Sequence, residues 1–330
     1  MTVDSGQQGL VASGTGGVWN VIGDDGEIHE VSLRGRLKKS DAGRRADGSM
    51  RRDTVASSRS RLKLAVGDRV RLERDERDHA WTIAEILPRT SRLARRAPGG
   101  GRGERIIAAN VDQVVIVFAA ALPESHTRML DRFLVIAEAN GLQAIIVVNK
   151  VDLVDEAAAR ARFADYSLAG YPVHFVSAKR GDGLEQLLRA LGGRTSVLTG
   201  PSGVGKSSLL NGVFPGHNLR VGEISESVGK GRHTTVGAYL HPLPLPAGGA
   251  VVDTPGLREI GMWELTLDRL DACFPEFRAH YENCRFSDCT HVAEPGCAVL
   301  KALSRGEVSA ARYDSYRRLR EELLEARAVW

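Results

Sequence analysis

The stretch GPSGVGKSS, Gly200 to Ser208, restricts the possible folds of this chain more than any other. It matches G-x-x-x-x-G-K-[ST], follows the apolar run TSVLTG and opens into SSLLNGV, a helix-forming segment. A strand, a glycine-rich turn and a helix start, in that order, point several backbone amides at one place. The positive end of the helix adds to them, and the product is a phosphate cradle. Gly200, Pro201, Ser202, Gly203, Val204, Gly205 and Ser208 are its expected lining, Lys206 should reach the outer phosphates, and the Ser207 hydroxyl should hold magnesium. A chain of this length carries the pattern by chance about once in a hundred, and the strand–loop–helix setting argues against a mere glycine turn.

Three further motifs stand at the ends of apolar runs. VVDTPG places Asp253 where it can hold the metal through water and Gly256 where its amide can meet a terminal phosphate. AIIVVNKVDL carries Asn149, Lys150, Val151 and Asp152. A carboxylate only accepts hydrogen bonds, so Asp152 suits the ring N–H and exocyclic amine of guanine, whereas adenine offers an acceptor in place of that ring donor. The Lys150 stem can lie across the base. VSAK (Ser177, Ala178, Lys179) can bring backbone amides to the guanine oxygen. Four motifs at four strand ends are the ligand-binding arrangement of a doubly wound sheet, and the expected ligand is GTP, with GDP as product.

The motif order is unusual, because base recognition precedes the phosphate loop. A sheet whose termini lie close together can be reconnected and reopened elsewhere with its site intact. The opening here falls just after DTPG. The segment sensing the terminal phosphate therefore runs straight into a cysteine-bearing region, which can follow the nucleotide state. In that region CRFSDCTHVAEPGC supplies Cys284, Cys289, His291 and Cys297. Three thiolates and one imidazole are the donor set of a closed, structural zinc site. Cys273 is left over and should pack inside LDACFPEF.

The organisation expected is α/β. Residues 1–106 form a small barrel of short alternating strands (GVWNVIG, GEIHEVSLRG, GDRVRLE, AWTIAEIL) of the oligonucleotide-binding type, with RAPGGGRGER as a flexible basic linker. Residues 107–261 form a parallel sheet covered by helices, a circularly permuted GTPase domain, and residues 262–330 a zinc-binding domain ending in a charged helix. Charge is concentrated in the barrel. From Ser32 to Lys63, which takes in its insertion at about residues 36–63, Arg34, Arg36, Lys38, Lys39, Arg44, Arg45, Arg51, Arg52, Arg59, Arg61 and Lys63 are opposed only by Asp41, Asp47 and Asp53. Arg89, Arg92, Arg95, Arg96, Arg102 and Arg105 follow, opposed by Glu104. Such a balance points to RNA. The longest apolar run, Val114 to Leu122, is too short to span a bilayer, and four cysteines in so long a chain make no disulfide framework. A cytoplasmic monomer without membrane contact is expected.

Together the basic strand-rich front, the permuted motif order and the Cys/His cluster resemble the ribosome small-subunit-dependent GTPase A family, RsgA or YjeQ. The resemblance implies a GTPase that engages the small ribosomal subunit and its rRNA late in maturation, with hydrolysis stimulated by the subunit. It also implies that GKGRHTT, Gly229 to Thr235, is the first switch loop. After DTPG stands Leu257, which cannot orient water as a glutamine would. The resemblance favours His233 in that role, with Thr234 or Thr235 as second magnesium ligand. Two other readings compete: an RNA-docking factor for which GTP is a timer rather than a substrate to turn over, and an ATP-dependent nucleic-acid enzyme, against which Asp152 argues.

Overall fold

The computed structural model describes residues 7–15, 17–33, 63–74, 80–96, 104–123, 127–214, 238–253 and 265–328. Strands β1 (Gln7–Thr15), β2 (Val18–Gly23), β3 (Ile28–Leu33), β4 (Arg69–Arg74) and β5 (Trp81–Ile86) close a barrel in the order β1-β2-β3-β5-β4. Neighbours are antiparallel except β3 and β5, and alternation sends Val11, Val21, Val31, Val70, Leu72 and Ile83 inward. This is the expected oligonucleotide-binding type of barrel. Nothing in QQGLVASGT announces β1, since its small residues alternate weakly; pairing with β2 and β4 on its two sides makes it a strand. Of the basic insertion, only Lys63 lies among the described residues.

Strands β6 (Arg92–Arg96) and β7 (Glu104–Ala109) form an antiparallel hairpin. The ends of the expected linker are therefore paired, Arg95 opposite Arg105 and Arg96 opposite Glu104. Burial of Leu93, Ala94 and Ala108 favours this ladder over a flexible tether. Next to the hairpin, the fully buried Asp68 carboxylate takes the Arg89 guanidinium at 2.6 Å and the Ala65 amide at 2.8 Å. Asn110 donates to the Gly67 carbonyl at 2.8 Å, joining barrel and hairpin.

Six strands form the central sheet: β8 (Gln113–Ala119), β9 (Gln143–Asn149), β10 (Val173–Phe175), β11 (Thr195–Thr199), β12 (Tyr239–Pro242) and β13 (Ala250–Asp253). Their order is β10-β9-β8-β11-β13-β12. All pairs are parallel except β12 with β13, which corrects the expectation of a wholly parallel sheet. Strand β12 is short and ends in Pro242, which suits a sheet edge. Every residue of β8 is buried. Val114, Ile116 and Phe118 face the core formed with α1 (Thr127–Ala139) and α3 (Ala164–Leu168), a short helix that follows α2 (Glu156–Arg162); Val115, Val117 and Ala119 face α4 (Leu184–Leu191) and α5 (Lys206–Val213). The chain runs outward from β8 through β9 to β10, then returns to β11 on the other side of β8. Strand order thus reverses between β8 and β11, which opens a ligand crevice at their carboxyl ends.

The C-terminal part holds α6 (Pro275–Tyr281), α7 (Ala298–Ser304) and α8 (Ala310–Ala328). Leu270, Phe274, Phe277, Val299, Tyr316 and Leu319 form its core together with Val135 of α1. The charged helix α8 buries one arginine completely. Arg312 is 1% exposed and meets Asp131 of α1 at 2.5 Å and Glu276 of α6 at 2.7 Å, while the Ser315 hydroxyl donates to Asp131. A charge so placed is tolerated only because both partners are present. Substituting Glu276→Gln keeps the shape and removes half of the counter-charge. We expect a loss of about 1.5–3 kcal/mol, the worth of a charged hydrogen bond, read as a lower denaturation midpoint. Among the described residues no helix is long and apolar enough to cross a membrane.

Candidate functional site

The phosphate loop leaves β11 at Gly200, where φ is 140° and a Cβ would stand 2.1 Å from the Val117 carbonyl oxygen of β8. The loop is therefore pressed onto the neighbouring strand, and only glycine fits. It enters α5 at Gly205, with φ 91°, where a Cβ would lie 2.5 Å from Asn149 Nδ2. Lys206, Ser207 and Ser208 form the first turn of α5, beside the loop residues Pro201, Ser202, Gly203 and the buried Val204. Lys206 Nζ donates to the carbonyls of Gly200 at 2.8 Å and Pro201 at 2.6 Å, so its charge lies across the mouth of the loop. Asp253 closes β13 level with Leu198 of β11, one strand away from the cradle.

The tetrad from Asn149 to Asp152 meets this loop. Asn149 ends β9 opposite Ala119 of β8 and is 2% exposed. Its Nδ2 donates to the Val204 carbonyl at 2.9 Å, and its Oδ1 accepts the Ala178 amide at 3.0 Å. One side chain thereby ties together the phosphate loop, the tetrad and the VSAK loop. The Ala178 amide is engaged by Asn149, so a base oxygen approaching it would share that donor. Lys150 adopts φ 63° and sends its ammonium to the Gly203 carbonyl at 2.7 Å and to the carbonyl of Leu122. Val151 packs on the sheet core, and Asp152 stands one residue further in a tight turn. The buried Ser177 hydroxyl donates to Asp152 Oδ1 at 2.6 Å and accepts the Arg180 amide at 3.1 Å. That hydrogen bond from Ser177 lowers the Asp152 pKa below its ordinary 3.8. Lys179 is exposed at the rim.

His233, Thr234, Thr235 and Gly256 lie outside the described residues. Two contributions have no sequence signal of their own: the Ser177 hydroxyl as partner of Asp152, and the Leu122 carbonyl as anchor of Lys150. Backbone carbonyls carry no residue identity, and a serine at a strand end has many ordinary uses.

A second site lies beneath α8. One ligand atom each from Cys284, Cys289, His291 and Cys297 falls within 4.8 Å of the others. Cys284 Sγ is 4.0 Å from Cys297 Sγ and 3.6 Å from His291 Nδ1, and that nitrogen is 3.4 Å from Cys297 Sγ. Bonds of about 2.3 Å to sulfur and 2.0 Å to nitrogen, arranged tetrahedrally, require separations of roughly 3.5–3.8 Å. The four donors fit a metal ion. The Ala298 and Leu300 amides point at Cys284 and Cys297 sulfurs, 3.3 and 3.4 Å away, which favours thiolates. His291 Nε2 lies 3.5 Å from Asp271, an electrostatic contact rather than a formed hydrogen bond. With metal on Nδ1 this nitrogen carries the proton, and the carboxylate orients the ring. The ligand loop is held from outside by Tyr313 on the His291 carbonyl at 2.7 Å and Tyr316 on the Thr290 carbonyl at 2.8 Å. Against the cost of partial burial, the Thr290 hydroxyl and amide and the Ala293 amide bring Glu294 down to about 2. Cys273 takes no part: it is buried, and burial pushes its thiol up to about 12.

The profile described as RsgA GTPase matches residues 86–263. The small ribosomal subunit biogenesis GTPase RsgA of Gemmatimonas aurantiaca is 55% identical over 317 residues, 96% of this chain and 97% of that one. Its counterpart from Ectopseudomonas mendocina is 46% identical over 265 residues, 79% of this chain and 76% of its own. Among solved structures, YjeQ from Thermotoga maritima aligns with a TM-score of 0.74 at 35% identity, covering 96% of this chain and 98% of that one. YloQ, a circularly permuted GTPase, aligns with a TM-score of 0.70 at 29% identity, covering 98% and 97%. With strand order, motif order and these similarities in agreement, the chain belongs to the RsgA GTPase family of circularly permuted GTPases.

Proposed function

We propose that this GTP hydrolase binds the small ribosomal subunit through rRNA, assists its late maturation in the cytoplasm, and hydrolyses GTP faster on the subunit than alone. The observation that carries the proposal is the Asn149 side chain spanning Val204 and Ala178, which makes one pocket of motifs far apart in sequence. Relatives named for small-subunit biogenesis, alike over almost the whole chain, supply the partner. In this reading Asp152, with Ser177, Ala178 and Lys179 beside it, selects guanine, and the Lys150 stem supports the base. The loop from Gly200 to Ser208 holds the phosphates. Ser207 and either Thr234 or Thr235 hold magnesium, with Asp253 behind it through water; the ion would neutralise charge on the phosphates. Gly256 senses the terminal phosphate, and His233 orients the attacking water. The zinc-binding region and the barrel, residues 262–330 and 1–106, are the docking parts around the GTPase domain, residues 107–261, and the protein acts as a monomer.

Purified small subunits should raise GTP turnover strongly, and large subunits should not. A flat response to small subunits would overturn the proposal. His233→Ala should lower the stimulated rate about a hundredfold, the scale of a lost proton-handling group, while GDP affinity is retained. If the same variant still releases subunits normally in cells, turnover is dispensable and the timer reading prevails.

A further inference from the structure

Leu122 is the residue of the nucleotide crevice that the fold itself does not explain. It follows β8, has φ 48° and exposes 73% of its surface. Left-handed backbone is unfavourable for a branched side chain, and an exposed leucine gains nothing from the core. Gly or Asn would serve the turn better on both counts. A residue strained and wet at once is a reason to look for what covers it.

Its neighbours indicate where the cover comes from. The Leu122 carbonyl accepts the Lys150 ammonium, and the same ammonium binds Gly203. The adjacent Pro123 is 3.7 Å from where a Cβ on Gly203 would be. The turn thus lies between the phosphate loop and the lysine whose stem supports the base. We infer that Leu122 is a nucleoside-binding residue, whose side chain packs against the base and ribose of the bound guanine nucleotide beside the Lys150 stem. This rests on the guanine-nucleotide reading of the site. The carbonyl of the same residue stretches Lys150 into place, so a single turn supplies an apolar contact and an anchor. The contact is with the nucleoside and not the terminal phosphate, so it serves GTP and GDP equally.

Three variants test this. Leu122→Gly relieves the backbone, so the nucleotide-free protein should melt at the same or a higher temperature. Its affinities for GDP and GTP should both fall about fivefold to tenfold, the loss of one partly covered leucine. Leu122→Asn, which tolerates the left-handed turn without the freedom of glycine, should show the same two losses. Leu122→Met should keep both affinities within about twofold, since it restores apolar cover. Unchanged affinity in the Gly and Asn variants overturns the inference, as does a loss confined to GTP. Failure of the underlying reading would show separately, as a parent protein that binds ATP as well as GTP.

Discussion

Replacing Asp152 by Asn should lower kcat/KM for GTP about a thousandfold and create turnover of XTP in the same variant. The reason lies in the direction of hydrogen bonds. A carboxylate offers only acceptors to the two donors on the guanine edge, and the substituted amide replaces one acceptor by a donor. The hydrogen bonds around Asp152 determine which end of the substituted amide would turn to a bound base. The Ser177 hydroxyl accepts the Arg180 amide, so its own proton is committed to Asp152 Oδ1 at 2.6 Å. In the variant that proton draws the amide oxygen toward Ser177 and turns the NH2 group to the nucleotide. There it opposes the exocyclic amine of guanine but matches the carbonyl that xanthine has at the same position. Steady-state rates with both nucleotides measure the effect; equal GTP rates in parent and variant would exclude Asp152 from base recognition. The acid response has a definite sign. The Ser177 hydrogen bond lowers the Asp152 pKa, so its contribution is complete above 3.8 and is lost only as pH falls through the lowered value. GTP binding through this group should therefore be level from neutral pH down to the ordinary carboxylate range.

That the pocket was legible in sequence follows from its chemistry. Gly200 and Gly205 stand where a Cβ would strike Val117 or Asn149, and in the proposed reading guanine demands the Asp152 carboxylate, so the residue types themselves suggest the chemistry. The fold was legible where burial is complete, as in β8, and obscure where pairing overrides composition. Strand β1 carries glycine, alanine and serine at four of its nine positions, and it exists because β2 and β4 each present it with a ladder. In sequence the arginines before and after the glycine-rich run suggest a solvated tether, yet Leu93, Ala94 and Ala108 carry the hairpin. Helix α8 shows the same limit. Its charges suggest a solvated face, and no periodicity marks Arg312 as the member that enters the core; that depends on Asp131 and Glu276, distant in the chain. Single residue types reveal chemistry, whereas partner-dependent burial becomes visible only in three dimensions.

Removal of the metal should cost more stability than any other change considered. The expected metal is zinc, one ion per chain, and the double substitution Cys284→Ser with Cys297→Ser should reduce the bound amount to none. The segment from Cys284 to Cys297 contains few buried apolar side chains of its own. It is shaped by its four converging donors, by Glu294 gathering the Thr290, Val292 and Ala293 amides, and by Tyr313 and Tyr316. Structural zinc contributes about 10–16 kcal/mol in isolated finger peptides. Here Phe274, Phe277, Val299 and Leu319 retain part of the fold without it, so a loss of about 5 kcal/mol is expected, a fraction of that figure. Amide exchange should accelerate throughout residues 265–304 and remain slow in β8 and β9, whose core is separate. Cobalt(II) in place of zinc should give the strong visible absorption of a tetrahedral thiolate site, absent from the double variant. Acid should release the ion as the thiolates and the imidazole take up protons. An unchanged metal content, or slow exchange in residues 284–297 of the double variant, would show that packing rather than coordination holds this region.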